Sequence, residues 1–191
     1  MYKRQLFALS LLCVGCENED ILDINDLEIS PSNPESVVIV EPDDGITSVN
    51  ALTKAINENG DATYILRRDG VYYMEGKNVF KHNVVIKAEN GSGKMPIIQP
   101  ICDAQGALNA DMIRLEGSAT FENIYIIGKD AATGNLMQRL FRIDESNVRL
   151  KFDNCFIDHC RNFCIRTDNV NNKIYLNNST CLLYTSPSPR D

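Results

Sequence analysis

Over most of the chain, apolar and polar residues alternate in short bursts, without the longer rhythm of a helix. Ile113-Arg114-Leu115, Phe141-Arg142-Ile143 and Ile165-Arg166-Thr167 are three strand-like triplets of this kind. Each is followed by an aromatic residue with an Asn two places on: Phe121 with Asn123, Phe152 with Asn154, and Tyr175 with Asn177. The Asn positions are 31 and 23 residues apart. That irregular period suits a solenoid coil, which buries its core only by stacking on its neighbours. The pattern predicts an all-β, right-handed parallel β-helix.

Val84 to Ala88 and Ile97 to Ile101 form the first full predicted coil. Met112 to Leu115 with Ala119 to Ile127 form the second, and Leu140 to Ile143 with Val148 to Ile157 the third. Inward residues of one coil should lie over their equivalents about 4.8 Å away. Asn123, Asn154 and Asn177 are expected to form an inward ladder whose amides bond up the stack and satisfy turn backbone groups. Arg114, Arg142 and Arg166 repeat as regularly, and read as an exterior column balanced by Glu116, Asp144 and Asp168. Ala131 to Asn135 and Glu89 to Lys94 read as loop insertions projecting from one flank. Gly91-Ser92-Gly93-Lys94 is not a phosphate loop, because Met95-Pro96 follows and no helix opens there.

Ahead of the coils, the Val37 to Val40 run predicts a first strand. Thr47 or Ser48 is placed to cap a helix whose Val49, Leu52, Ala55 and Ile56 share one face, with Gly60 closing it. Such a helix would cover the open end of the solenoid, where backbone groups and core would otherwise face water.

From Val49 to Ile56, through Gly60-Asp61, the Asp-Gly-Val-Tyr turn at Asp69 to Tyr72 and the run Val84 to Glu89, the chain resembles the opening of pectate-lyase-like β-helix proteins. It is also similar to domains of unknown function on that fold in Gram-negative surface lipoproteins, which share phrases like Phe121-Glu122-Asn123 and Phe152-Asp153-Asn154-Cys155. The resemblance covers Val37 to Thr180. It implies the β-helix fold and a polysaccharide as the molecule engaged.

The two ends read differently. Cys181 to Asp191, CLLYTSPSPRD, matches codon for codon a translated transposase sequencing adapter, and Met1 to Gln5, MYKRQ, resembles its opposite end. Both are expected to be foreign to the natural chain, which would leave the β-helix (37–180) truncated at its C-terminus. Leu6 to Gly15 is an apolar run ending in a small residue before Cys16, which resembles the signal and lipobox of a bacterial lipoprotein. Cys16 is then the lipidation site of segment 1–15, although Cys13 sits where Leu is usual; an ordinary secretory signal is the alternative. Residues 16–36 are acidic and contain Pro and Ser, as in a flexible tether. Acidic residues directly after Cys16 resemble a surface-export signal, so the expected location is the outer membrane, lipid-anchored and facing outward.

The chain carries 19 basic and 26 acidic residues, a net charge of −7. No basic stripe is evident to neutralise phosphates, which argues against a nucleic-acid partner. Cys155, Cys160 and Cys164 with His159 lack the CxxC knuckle of a zinc site, so no metal site is assigned. The thiols read as core residues, with a disulfide left open.

Two kinds of chemistry suit the resemblance. Hydrolases need flanking carboxylates, and those of this fold carry Asp-Asp and His-Gly pairs. Here Asp43-Asp44 lies in the cap turn and neither His82 nor His159 precedes Gly. Lyases need a cation at the uronate carboxylate and a base for the neighbouring proton. Lys151, His159, Arg161 and Arg166 are the candidates, read as lying on consecutive coils. No cofactor is identified, but calcium is expected if the protein is a lyase. The expected function is binding or processing of extracellular polysaccharide; the alternatives are a calcium-assisted lyase acting on uronate glycans and an adhesin-like structural module.

Overall fold

The computed structural model describes residues 36–182. The lipidation residue Cys16, the tether up to residue 35 and the segment after residue 182 lie outside the described residues. After β1 (Val37–Val40) and the helix α1 (Ala51–Asn59), the strands come in repeating order. They are β2 (Thr63–Leu66), β3 (Val71–Glu75), β4 (Asn78–Phe80), β5 (Val84–Ala88), β6 (Ile97–Ile101), β7 (Asp111–Leu115), β8 (Ala119–Glu122) and β9 (Tyr125–Ile127). β10 (Met137–Ile143), β11 (Arg149–Asp153), β12 (Phe156–Asp158), β13 (Cys160–Thr167), β14 (Lys173–Asn177) and β15 (Thr180–Cys181) follow. They form a six-stranded sheet β1-β2-β5-β8-β11-β14, a five-stranded sheet β3-β6-β9-β12-β15 and a four-stranded sheet β4-β7-β10-β13. Every pairing within these sheets is parallel. Each coil visits the six-, five- and four-stranded sheets in turn, so the chain is a right-handed parallel β-helix.

In-register stacking builds the core. Tyr64, Ile86, Phe121, Phe152 and Leu176 pair successively across the six-stranded sheet. Phe121 and Phe152 stack with ring centroids 5.4 Å apart, and Phe141 packs edge-on against both at 5.3 Å. Fully burying a side chain of this size is worth about 1.5–3 kcal/mol. At the last coil Leu176, which continues this stack, is 54% exposed.

The N-terminal helix forms as expected and buries Leu52, Thr53 and Ile56, but its cap differs. Thr47 and Ser48 are not the capping residues. Asp44 turns them away, accepting hydrogen bonds from the backbone of Ile46, Thr47 and Ser48 through Oδ1. The first helical N–H, that of Ala51, is satisfied instead by Asp43 Oδ1 at 3.1 Å. A carboxylate eight residues upstream thus does what a neighbouring hydroxyl was expected to do.

At the corner between the six- and five-stranded sheets, three successive coils turn through Asn123-Ile124, Asn154-Cys155 and Asn178-Ser179. The three Asn residues have φ of 58°, 50° and 45°, a left-handed conformation that Asn tolerates better than other residues with a Cβ. Asn154 Nδ2 donates to Asn123 Oδ1 at 2.6 Å, and Asn178 Nδ2 donates to Asn154 Oδ1 at 3.1 Å. The third rung is therefore Asn178, not Asn177. Asn177 lies one residue back, beside Asp153, and donates to its Oδ1. Leu176, not Tyr175, is the counterpart of Phe152, and a one-residue slip exchanges the two faces of a strand. The ladder also runs along the exposed rim of the turn, not inward.

Candidate functional site

The opposite kind of corner joins the five- to the four-stranded sheet. Gly76-Lys77 makes it in the first coil, residues 102–110 in the second, 128–136 in the third, and His159 alone in the fourth. The third loop leaves its strand at Gly128, where a Cβ would run into the carbonyl oxygen of His159 and the side chain of Leu140. Only glycine lets the two coils approach so closely.

Both long loops are pinned by an aspartate at their start. Asp103 Oδ1 accepts from the backbone of Gln105 and Ala107 at 3.0 and 2.8 Å. Asp130, buried, accepts from the backbone and hydroxyl of Thr133 at 3.0 and 2.5 Å. Burial raises the Asp130 pKa, but the Thr133 hydrogen bonds outweigh it and hold the carboxyl below the usual range. Cys102 Sγ lies 3.5 Å from Thr133 Oγ1 and ties the loops together. Between them and β13 opens a cavity of about 490 Å³, with Asn109, Asn135, Gln138 and Arg161 among its lining side chains.

Five of the chain's ten arginines, Arg114, Arg139, Arg142, Arg161 and Arg166, lie on three adjacent strands of the four-stranded sheet. Four of them are spoken for. Arg139 pairs with Asp111. Arg114, Arg142 and Arg166 are in register, with Asp144 bridging the first two at 2.5 and 2.8 Å and Asp168 the last two at 3.6 and 3.2 Å. Burial raises the Asp144 pKa, but the hydrogen bonds and charges of Arg114 and Arg142 outweigh it, and the carboxyl sits below its ordinary value. Arg161 has no hydrogen bond or ion pair among the described residues, and it lines the cavity.

The four candidate catalytic residues belong to one coil, not to consecutive ones, and do not share a face. Lys151 is on β11 of the six-stranded sheet, paired in register with Thr120 and Tyr175, with Nζ 3.8 Å from Asp153 Oδ2. His159, Arg161 and Arg166 sit at or beyond the corner between the five- and four-stranded sheets. His159 has φ 57° and holds Nδ1 2.8 Å from Oδ2 of the buried Asp158. Arg161 opens β13 beside it, whereas Arg166 lies five residues on, locked to Asp168. Of the four, Arg161 alone lines the cavity, His159 forms the adjoining corner, and Lys151 and Arg166 are left out. Nor do the two loop insertions share a flank: 89–96 connects the six- to the five-stranded sheet, and 128–136 the five- to the four-stranded one.

Asn109, Gln138 and the whole 102–110 loop escaped the sequence reading. A signal was present, since Asp103-Ala104-Gln105-Gly106 and Asp130-Ala131-Ala132-Thr133-Gly134 repeat one Asp-Ala-to-Gly phrase in successive coils. Among the described residues no group of three or more His, Cys, Asp or Glu side chains could hold a metal ion.

The fold has a solved counterpart. The chain is similar to a mutant of AlyGC, a PL6 family alginate lyase, with a TM-score of 0.55 and 19% identity over 75% of this chain. It spans 19% of that protein's length. A likeness at this identity shows the shared β-helix. No family model matches the chain, and no curated protein does.

Proposed function

We propose that this β-helix binds an anionic extracellular polysaccharide at the corner between the five- and four-stranded sheets. The observation that carries the reading is Arg161, a guanidinium without a protein carboxylate among the described residues, set in a cavity lined with amide side chains. A planar guanidinium binds a carboxylate through two parallel hydrogen bonds, and Asn109, Asn135 and Gln138 supply donors and acceptors for sugar hydroxyls. The fold shared with an alginate lyase makes uronate chains the first polymers to try. Cys16 would anchor the protein in the outer membrane, facing outward, where such polymers are met.

A second reading rests on His159. An imidazole is a side chain suited to proton transfer near neutral pH, and His159 stands at this corner with Nδ1 2.8 Å from Asp158 Oδ2. Beside Arg161 it could take the proton next to a uronate carboxylate. The C4–O bond would break as a C4–C5 double bond forms, the C5 proton would stay on the imidazole, and the departing oxygen would take a proton from water and leave as a hydroxyl. Calcium enters this reading as a condition of the assay.

Affinity electrophoresis through alginate, polygalacturonate and a neutral glucan tests the first reading, with ultraviolet absorbance of unsaturated product as the test of the second. Retardation in the uronate gels that Arg161→Ala abolishes is the expected result. Equal mobility in all three gels would sink polysaccharide binding. Binding without absorbance, with and without calcium, would sink the lyase.

A further inference from the structure

Strand β13 does not run straight. Its Cys160 and Cys164 are buried, while Arg161, Asn162 and Phe163 between them are exposed. The register explains the shape: Cys160 pairs with Met137 and Phe163 with Arg139, so three steps on β13 oppose two on β10. The extra residue is a β-bulge, which arches the strand outward and re-aims its side chains. This arch carries Arg161 into the cavity wall. Beneath it the two thiols meet, with Cys160 Sγ 3.0 Å from Cys164 Sγ.

We propose that Cys160 and Cys164 form a disulfide that staples the base of this arch and fixes the position of Arg161. The sulfurs, 3.0 Å apart, are about 1 Å farther apart than a disulfide bond. The cross-link stands on its own geometry; its consequence for Arg161 rests on the proposed polysaccharide site. Cys155 is otherwise engaged, with Sγ 3.2 Å from the Phe121 carbonyl oxygen, and burial pushes its thiol up to about 11. Cys181 is the rival partner, 3.1 Å from Cys164 Sγ, but its side of the contact is exposed and it belongs to the segment whose sequence reads as adapter.

The chemistry needs an acceptor. Two thiols lose two protons and two electrons to the disulfide of a thiol–disulfide carrier, which is reduced to two thiols through a mixed disulfide. Burial raises the Cys160 thiol pKa, so little thiolate is present in the folded chain and oxidation belongs to the folding stage. Secretion would bring the chain to such carriers.

The test is to refold the full chain, and its Cys181→Ser variant, with glutathione disulfide, alkylate the remaining thiols, and map the peptides by mass. A Cys160–Cys164 linkage in both proteins is expected. Full alkylation of Cys160 and Cys164 in the refolded proteins, or a Cys164–Cys181 linkage in the full chain, would overturn the proposal. Alginate binding is then compared in the oxidised and reduced states of the Cys181→Ser protein, which needs no variant at the staple. Loss of rigidity should weaken binding on the order of threefold on reduction. Unchanged affinity with the linkage mapped would overturn the positioning role, whereas absence of binding in both states would sink the polysaccharide reading and leave the cross-link standing.

Discussion

Where the six-stranded sheet meets the five-stranded one, three successive coils turn on the same device: a left-handed Asn whose amide bonds to the Asn of the coil before. At the corner between the five- and four-stranded sheets, three successive coils turn through nine residues, nine residues and a single His159. Corners that repeat hold the stack together, because an identical residue over an identical residue can bond upward indefinitely. Corners that differ cannot do this, and their loops must be fixed internally, as Asp103 and Asp130 fix theirs. The second kind is free to carry polar side chains outward, and there Arg161 stands without a carboxylate among the described residues.

The largest effect that would separate the two corners is on stability. Asn154→Ala should destabilise the fold by about 2–3 kcal/mol, combining the cost of a left-handed residue with a Cβ and the loss of its hydrogen bonds to Asn123 and Asn178. Chemical denaturation would show it, with glycan affinity unchanged while the protein is folded. Asn154→Gly should recover about 1 kcal/mol of this, since glycine meets no left-handed penalty. Equal losses for Ala and Gly would mean that the ladder bonds, not the turn conformation, carry the corner.

Arg161→Ala should do the reverse. Losing a charged hydrogen-bonding partner costs about 1.5–3 kcal/mol of affinity, roughly tenfold or more. The melting temperature should not move, because the side chain has no partner among the described residues. A drop in melting temperature with intact binding would make Arg161 architecture and dissolve the contrast.

Smaller effects come from the paired arginines beside it. Asp144→Asn should cost about 1 kcal/mol, since the pairs with Arg114 and Arg142 are partly exposed and screened. The pH dependence has a definite sign. A carboxyl held below its ordinary 3.8 stabilises the fold above that pH, and the contribution is lost as the pH falls through the folded value. Acid titration of wild type below pH 3.8 should therefore narrow its stability lead over Asp144→Asn. A lead that stays constant in acid would show that the carboxylate's charge is not what matters.

How far the sequence foretold this follows from the same contrast. Parallel coils in register put like residues over like, so the Arg114, Arg142 and Arg166 column and the Phe121 and Phe152 stack were legible as repeats. The ladder was read one residue off at its last rung, because Tyr175 is aromatic like Phe121 and Phe152 whereas Leu176, the true stacking residue, is not. The site was harder to see. Loop 102–110 has no coil-to-coil constraint of size, and Arg161 joins the cavity only because a bulge arches β13. Lys151 looked equivalent to the other cations along the chain, but it faces out from a different sheet.

The most direct measurement of the central claim is hydrogen exchange of the full chain with and without saturating alginate oligosaccharide, read peptide by peptide. The account predicts slowed exchange at residues 102–110, 128–136 and 159–161, and no change at the Asn123, Asn154 and Asn178 turns. Protection at those Asn turns, or at the apolar groove beside Tyr125 and Phe156, with none at the loops, would place the polysaccharide on the wrong corner and contradict it.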